Sequence, residues 1–479
     1  MGSERTLAKN TTVLLVANLM SYLLGFFTTL YTARYLGVEG FGILSLALSI
    51  TGIFGVLTDF GLATLTIREV SRDKSLADKY IGNTAVMKLF LSLLTFGVIG
   101  LLVYIVGYPQ TVANVIYIIT LSVIMTAFTG IFNSIFQAYE KMEYLSLTIV
   151  LNAVIMIAGI LLVIYRGLDI VVLSSVYFFS SLLVLIATFI IFSKRFFMPS
   201  IQLDFSFWKL TLQESFYFGV SSILVVIYFY IDSFMLSIMV NNSAVGIYNA
   251  AYKLIFVLMF LPNVFLISIF PLMSQHYESN RELLKVEYEK SVKYLFAIAM
   301  FFFVFVLLFA DKIIYIIYGS GYDASIFALQ ALIFVVPVIF ITYLFGNILG
   351  AINKQRILLI VTAINAIINV ALNLVLIPHY SYVGASVATV ITEVTGFSLM
   401  IIYISKYFSS ISWVNNFLKT ITVSVLVLTV TYFLRLNINW IIALVAGVVL
   451  FLVLMIVTRI ISREDLEIFK RIIKKDSDQ

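Results

Sequence analysis

This sequence predicts an all-α polytopic membrane protein with about fourteen transmembrane helices. They form two parallel six-helix repeats followed by two extra C-terminal helices. Three observations carry that reading. Of 479 residues, 62% are hydrophobic and only 11% charged, whereas an ordinary soluble domain is about 25% charged. Mean hydropathy is +1.09. The apolar residues fall into stretches of the roughly 20 residues that a helix needs to cross a bilayer. Finally, the first half of the chain resembles the second.

The stretches are, in order, 10–35, 41–67, 80–106, 111–138, 144–165, 170–193, 210–240, 244–273, 288–310, 324–351, 355–377, 382–405, 415–436 and 439–461. The first is too long for a signal-peptide core of about 7–15 residues and reads as a retained span. Sorting the cations tests the count. Even-numbered connections, the termini and the central linker hold 25 Lys and Arg, Lys88 among them, and odd-numbered connections hold 4, Arg34 and Arg435 among them. The positive-inside rule then puts both termini in the cytoplasm of a multi-pass protein of the cell membrane. Topology thus accounts for the net charge of +6, with no nucleic-acid partner implied. The linkers Arg68–Lys79 and His276–Lys293 are expected to carry short amphipathic helices.

The repeat is visible as YLGVEGFGILSLAL against MVNNSAVGIYNAAY, which aligns Gly42 with Gly246. AYEKMEYLSLTIVLNAV against AINKQRILLIVTAINAI aligns Asn152 with Asn365. Six spans per repeat is an even number, so both halves share one orientation. The expected division is 1–195 for the first half, 196–209 for a cytoplasmic linker, 210–405 for the second half, and 406–479 for two extra helices and a basic cytoplasmic tail.

Charges inside spans mark candidate sites, because each costs on the order of 3 kcal/mol at a helix centre. Asp232 and Lys253 fall at matching depth on adjacent spans joined by Asn241-Asn242-Ser243, roughly 14 Å from the same surface, and are expected to pair. The pair is either a structural lock or a substrate contact. Asp59 lies in span two; its repeat-mate is Asn263, beside Pro262, and a helix-end lock with Arg68 is the structural alternative for it. Glu393 lies near the middle of span twelve, close to Thr389 and Thr392. Arg34 and Arg68 end spans one and two, where snorkelling to headgroups is the alternative to a role. Asn365, Asn369 and Asn373 share one helix face and serve as interhelical glue or cavity wall. Pro262 and Pro337 bend their spans.

No signature of catalysis is present: no GxSxG, HExxH, Walker A or metal cluster, and no cysteine. A transporter without cofactor or metal is expected.

The runs ARYLGVEGFG and TDFGL (Ala33–Gly42, Thr58–Leu62), IDSFML, AVGIYNAAYKL and FPLMS (Ile231–Leu236, Ala244–Leu254, Phe270–Ser274) and LNLVLIPHYSYVGASVAT (Leu372–Thr389) together cover spans one to twelve. This combination resembles the polysaccharide flippases of the multidrug/oligosaccharidyl-lipid/polysaccharide exporter superfamily. The resemblance implies flipping of a polyprenyl-(pyro)phosphate-linked oligosaccharide to the outer leaflet by alternating access, without ATP hydrolysis, in a monomer surrounded by membrane lipids. Arg34, Lys253, Asp232, Asp59 and Arg68 are the substrate-binding candidates. Glu393 and Asp232 are the candidates for coupling to H⁺ or Na⁺. Two alternatives stand beside it: an ion-coupled multidrug antiporter, and a membrane-embedded polysaccharide polymerase or ligase. Cations near the acids suit an anionic ligand better than a cationic drug, and the short outer loops leave little room for a glycosyl-transfer site.

Overall fold

The structure is a computed structural model that describes residues 2–409 and 414–460. Among the described residues there are fifteen α-helices and no strand. They are α1 Gly2–Gly55, α2 Leu62–Arg72, α3 Ala77–Val106, α4 Gln110–Ala138, α5 Met142–Arg166, α6 Ile170–Arg195, α7 Phe205–Met239, α8 Asn242–Leu258, α9 Phe260–Ser279, α10 Arg281–Tyr318, α11 Ala324–Leu332, α12 Val335–Ala351, α13 Gln355–Tyr407, α14 Val414–Asn437 and α15 Trp440–Val457. The part of the expected basic tail beyond residue 460 lies outside the described residues.

Among the described residues, eleven segments are long and apolar enough to cross a membrane, or twelve if the bent pair α11–α12 is one span. Two of them are far too long for one crossing: Thr12–Thr58 has 47 residues and Gln355–Tyr407 has 53. Each holds one non-helical residue, Gly37 (φ 65°) in α1 and Ser381 (φ 53°) in α13. The chain reverses at both. Asn10 donates to the Glu140 carbonyl and Tyr139 to that of Lys74, whereas Tyr35 donates to that of Leu168. Residues 10 and 74 therefore share one end of the bundle, with residue 35 at the other. In α13, Gly396 abuts the Asn365 side chain and Gly384 the Leu376 backbone, contacts that a straight helix rising 1.5 Å per residue forbids. Counting the bent pair as one span and each long helix as two crossings gives about fourteen among the described residues, in line with the apolar pattern.

Helix ends depart from expectation where backbone chemistry intervenes. Span two stops early: α1 ends at Gly55, a 3-10 turn covers Val56–Thr58, and Phe60 (φ 45°) and Gly61 (φ 82°) take left-handed conformations before amphipathic α2. The 276–293 linker holds no separate short helix. There α9 and α10 meet at Asn280, whose side chain accepts from the Leu283 amide and caps α10. Pro262 and Pro337 each sit in the first turn after a break, in α9 and α12, where a missing N–H costs nothing.

The chain divides into two compact units, Met1–Ala250 with Val370–Ala385, and Ala251–Asn369 with Ser386–Gln479. The first has an aromatic-rich core that includes Tyr80, Phe132, Phe136 and Phe192. In it the repeat appears as a reciprocal contact. Gly42 lies against the Asn242 carbonyl, and Gly246 against the Val38 carbonyl. Val38 matches Asn242, and Gly42 matches Gly246, at one offset of 204 residues. A pair of contacts that exchanges repeat-mates is what a two-fold relation between the halves produces.

In the second unit α14 and α15 pack on α10 through Val423, Val427, Ala443 and Phe451 against Val304, Phe305 and Leu308. The helix breaks at Phe309 (φ −114°, ψ 22°), and Arg435 of α14 takes up the Leu308 carbonyl there. Arg435 also donates to Asp311 at 2.7 Å. This arginine, in the last turn of α14, clamps the extra helices to α10.

Candidate functional site

Among the described residues the most deeply buried acid is Asp232 of the first unit, on the α7–α8 hairpin. Helix α7 ends at Met239 and α8 starts at Asn242; Asn241 closes the turn by accepting from the Ala244 amide at 2.9 Å. That turn is tighter than the Asn241–Ser243 connection expected from sequence, and it shifts the register. The residue opposite Asp232 is Tyr248, whose hydroxyl donates to Asp232 Oδ2 at 2.6 Å. One step along, Asn249 Nδ2 donates to Ser233 Oγ at 2.9 Å. A third element closes the cluster: Asn373 Nδ2, from the first arm of α13, donates to Asp232 Oδ1 at 2.5 Å. Asp232, Tyr248 and Asn373 are 4%, 2% and 0% exposed. A carboxylate so buried is costly unless hydrogen-bonded, and here each oxygen receives a donor. Chemically, this is a buried acid held by one hydroxyl and one side-chain amide, a setting that can take up a proton or hold a small cation.

A second charged centre lies at the helix break of the same unit. Lys88, counted above among the connections, lies inside α3 and is 1% exposed. Its ammonium is 2.5 Å from Asp59 Oδ1 and donates to the Ala127 carbonyl at 2.9 Å. Asp59 Oδ2 accepts from the Ala63 amide at 3.3 Å, so the carboxylate also caps α2. The acid therefore ties α3 to the start of α2, and Arg68 is not its partner. Arg68 pairs with Glu69 at 2.6 Å and with Glu214 of α7. Gly61 makes this junction possible. A Cβ there would lie 2.8 Å from the Ser215 carbonyl, and φ 82° suits only glycine well.

The remaining candidates are carried by α1, α8 and α13. Arg34 is exposed, three residues before the Gly37 reversal. Lys253 is half-buried on α8, five residues beyond Tyr248. Glu393 is buried in the second arm of α13, beside fully buried Thr392. Asn365 and Asn369 are buried as well, on the same helix face as Asn373.

Residues 7–277, more than half of the chain, match the family described as polysaccharide biosynthesis protein. The chain belongs to that family. Residues 218–375 also match the MatE family. A Haloferax volcanii protein described as a probable low-salt glycan biosynthesis flippase, Agl15, is 24% identical over 416 residues, 85% of this chain and 86% of that one. Among solved structures, a lipid II flippase, MurJ, in an inward closed conformation superposes with TM-score 0.76 at 17% identity, covering 92% of this chain and 98% of that one. An inward-facing multidrug-resistance MATE transporter superposes with TM-score 0.68 at 18% identity, covering 83% and 98%. These likenesses fix the fold of this polysaccharide biosynthesis protein as that of a multi-pass membrane transporter.

Sequence reasoning about this polysaccharide biosynthesis protein missed Tyr248 and Lys88. Tyr248 was legible only approximately, since equal counts outward from Met239 and Asn242 bring Asp232 level with Asn249, one residue beyond it. Lys88 was not. A lysine eight residues beyond the start of a span looks like a boundary residue until a carboxylate from another element is seen beside it.

Proposed function

We propose that this protein moves a polyprenyl-(pyro)phosphate-linked oligosaccharide from the cytoplasmic to the outer leaflet by alternating access, driven by an H⁺ or Na⁺ gradient. Membership of the polysaccharide biosynthesis family carries this reading, and the near full-length likeness to a glycan flippase supports it. In this reading the protein is a monomer of the plasma membrane with both termini in the cytoplasm. The moving halves are residues 1–195 and 210–405, joined by 196–209, and residues 406–479 are an appendage.

Arg34 and Lys253 hold the anionic pyrophosphate, since cations suit such a group. Asp59 and Arg68 act at the basic end, where each is part of an ion pair that must rearrange to admit substrate. Lys253 pairs with Asp232 during part of the cycle. Asp232 and Glu393 carry the coupling ion; burial of both acids and the hydroxyls beside Glu393 support that role. The test is reconstitution in liposomes with a fluorescent polyprenyl-diphosphate oligosaccharide. Protein-dependent transfer between leaflets that responds to a pH or Na⁺ gradient supports the reading, and its absence at full reconstitution overturns it.

The match of residues 218–375 to the MatE family favours a second reading, ion-coupled export of amphiphilic drugs. Drug-driven proton flux in the same liposomes, with no oligosaccharide transfer, would select it.

A further inference from the structure

The segment between α6 and α7 is an extended strap with two unlike edges. On one edge, alternate residues bond to α3. Ser200 donates to Asp78 through its amide at 3.0 Å and its hydroxyl at 2.5 Å. Gln202 donates to the same carboxylate at 3.0 Å. The Asp204 amide donates to Asn83 Oδ1 at 2.9 Å, and its carboxylate lies 3.1 Å from Lys79. Gly82 lets the Ser200 carbonyl press directly on α3. On the other edge stand Ile201, Leu203 and Phe205, exposed by 82%, 64% and 72%. Period-two alternation is what extended backbone gives, and here it sorts the strap into a bonded polar edge and a bare apolar one.

Two facts say what covers the bare edge. The strap lies at the end of two membrane-crossing helices. Helix α6 ends at Arg195 and α7 starts at Phe205. Residues 196–204 therefore join two crossing helices at one end, where the membrane boundary lies. Cations also bracket the apolar edge: Lys194 and Arg195 in the last turn of α6, and Lys209 in the first turns of α7, all exposed. Apolar side chains flanked by exposed cations match acyl chains beneath anionic headgroups.

We propose that residues 194–209 form an in-plane lipid contact, with Ile201, Leu203 and Phe205 among the acyl chains and Lys194, Arg195 and Lys209 on anionic headgroups. The strap thereby holds the start of α7 at the bilayer surface. This inference needs only that the chain crosses a membrane and is independent of what the protein transports.

The absence of cysteine makes the test direct. Ile201→Cys, Leu203→Cys, Phe205→Cys and, as an aqueous reference, Lys209→Cys each receive a nitroxide. Each is reconstituted in phosphatidylcholine vesicles with and without phosphatidylglycerol. Collisions with oxygen should exceed those with a water-soluble nickel chelate at 201, 203 and 205, and the reverse should hold at 209. The label at 203 should lie deeper when phosphatidylglycerol is present, and Lys194→Gln with Arg195→Gln should abolish that difference. Nickel access at the three positions equal to that at 209 overturns the proposal, as does protection from both reagents, which would mean a protein neighbour. A depth at 203 indifferent to phosphatidylglycerol overturns the headgroup assignment.

Discussion

Lys88 and Asp59 form a lopsided ion pair: the lysine side chain is 2% exposed and the aspartate 32%. Their charges are equal, but their access to water is not. Removing the acid strands a buried cation, a change that costs roughly 3–5 kcal/mol where burial is complete. Removing the lysine leaves an acid that water still reaches. Asp59→Ala is therefore expected to destabilise by about 3 kcal/mol and Lys88→Met by about 1–2 kcal/mol. Thermal unfolding in detergent measures both, and equal losses would contradict this assignment of burial.

Tyr248→Phe removes one of the donors to Asp232 and keeps the ring. It should cost about 1–3 kcal/mol, the usual loss when a buried acceptor is left short. Lys253→Met and Asp232→Asn should each impair transport, and the double variant should recover folding. Normal folding and transport in both single variants would remove the proposed Asp232–Lys253 pairing.

Gly42→Ala and Gly246→Ala each push a methyl into a facing carbonyl, an overpacking that costs typically about 1–3 kcal/mol. The two contacts belong to one helix crossing. Once the first methyl has parted the helices, the second should cost less, so the double variant should lose less than the summed singles. Strict additivity would show that the contacts are independent.

The Asp204 carboxylate is held below its ordinary value, near 3.8, mainly by the Phe207 amide it caps and then by Lys79. A depressed acid contributes stability that is present above its unfolded value and lost as pH falls through the lowered one. Below about pH 4 the strap should therefore loosen at its α7 end. A nitroxide at position 203 should gain mobility in that window, and Asp204→Asn should shrink that gain to the part that comes from Asp78, which holds Ser200 and Gln202.

Glu393→Gln tests the coupling ion. If Glu393 carries the ion, oligosaccharide transfer in the variant persists but loses its response to one gradient. Transfer that keeps its full dependence on both H⁺ and Na⁺ gradients would take Glu393 out of the mechanism.

The chain itself determined that the fold is a bundle of apolar membrane-crossing helices, with a repeat between its halves and acids inside the spans. Those features are one-dimensional: an apolar run must be about 20 residues long to span the bilayer, and lipid penalises every charge within it. The offset of 204 residues between Gly42 and Gly246, read along the chain, reappears as the mutual contact of Gly42 with Asn242 and Gly246 with Val38. Partners were decided by tertiary structure alone. Depth along a span is readable, but azimuth and exact register are not, because a turn one or two residues shorter rotates each later side chain by about 100° per residue. That is why Asp232 meets Tyr248 and Asn373, why Asp59 is held by Lys88 and not by Arg68, and why a linker expected to be a plain connector has one edge bonded to α3 and the other exposed.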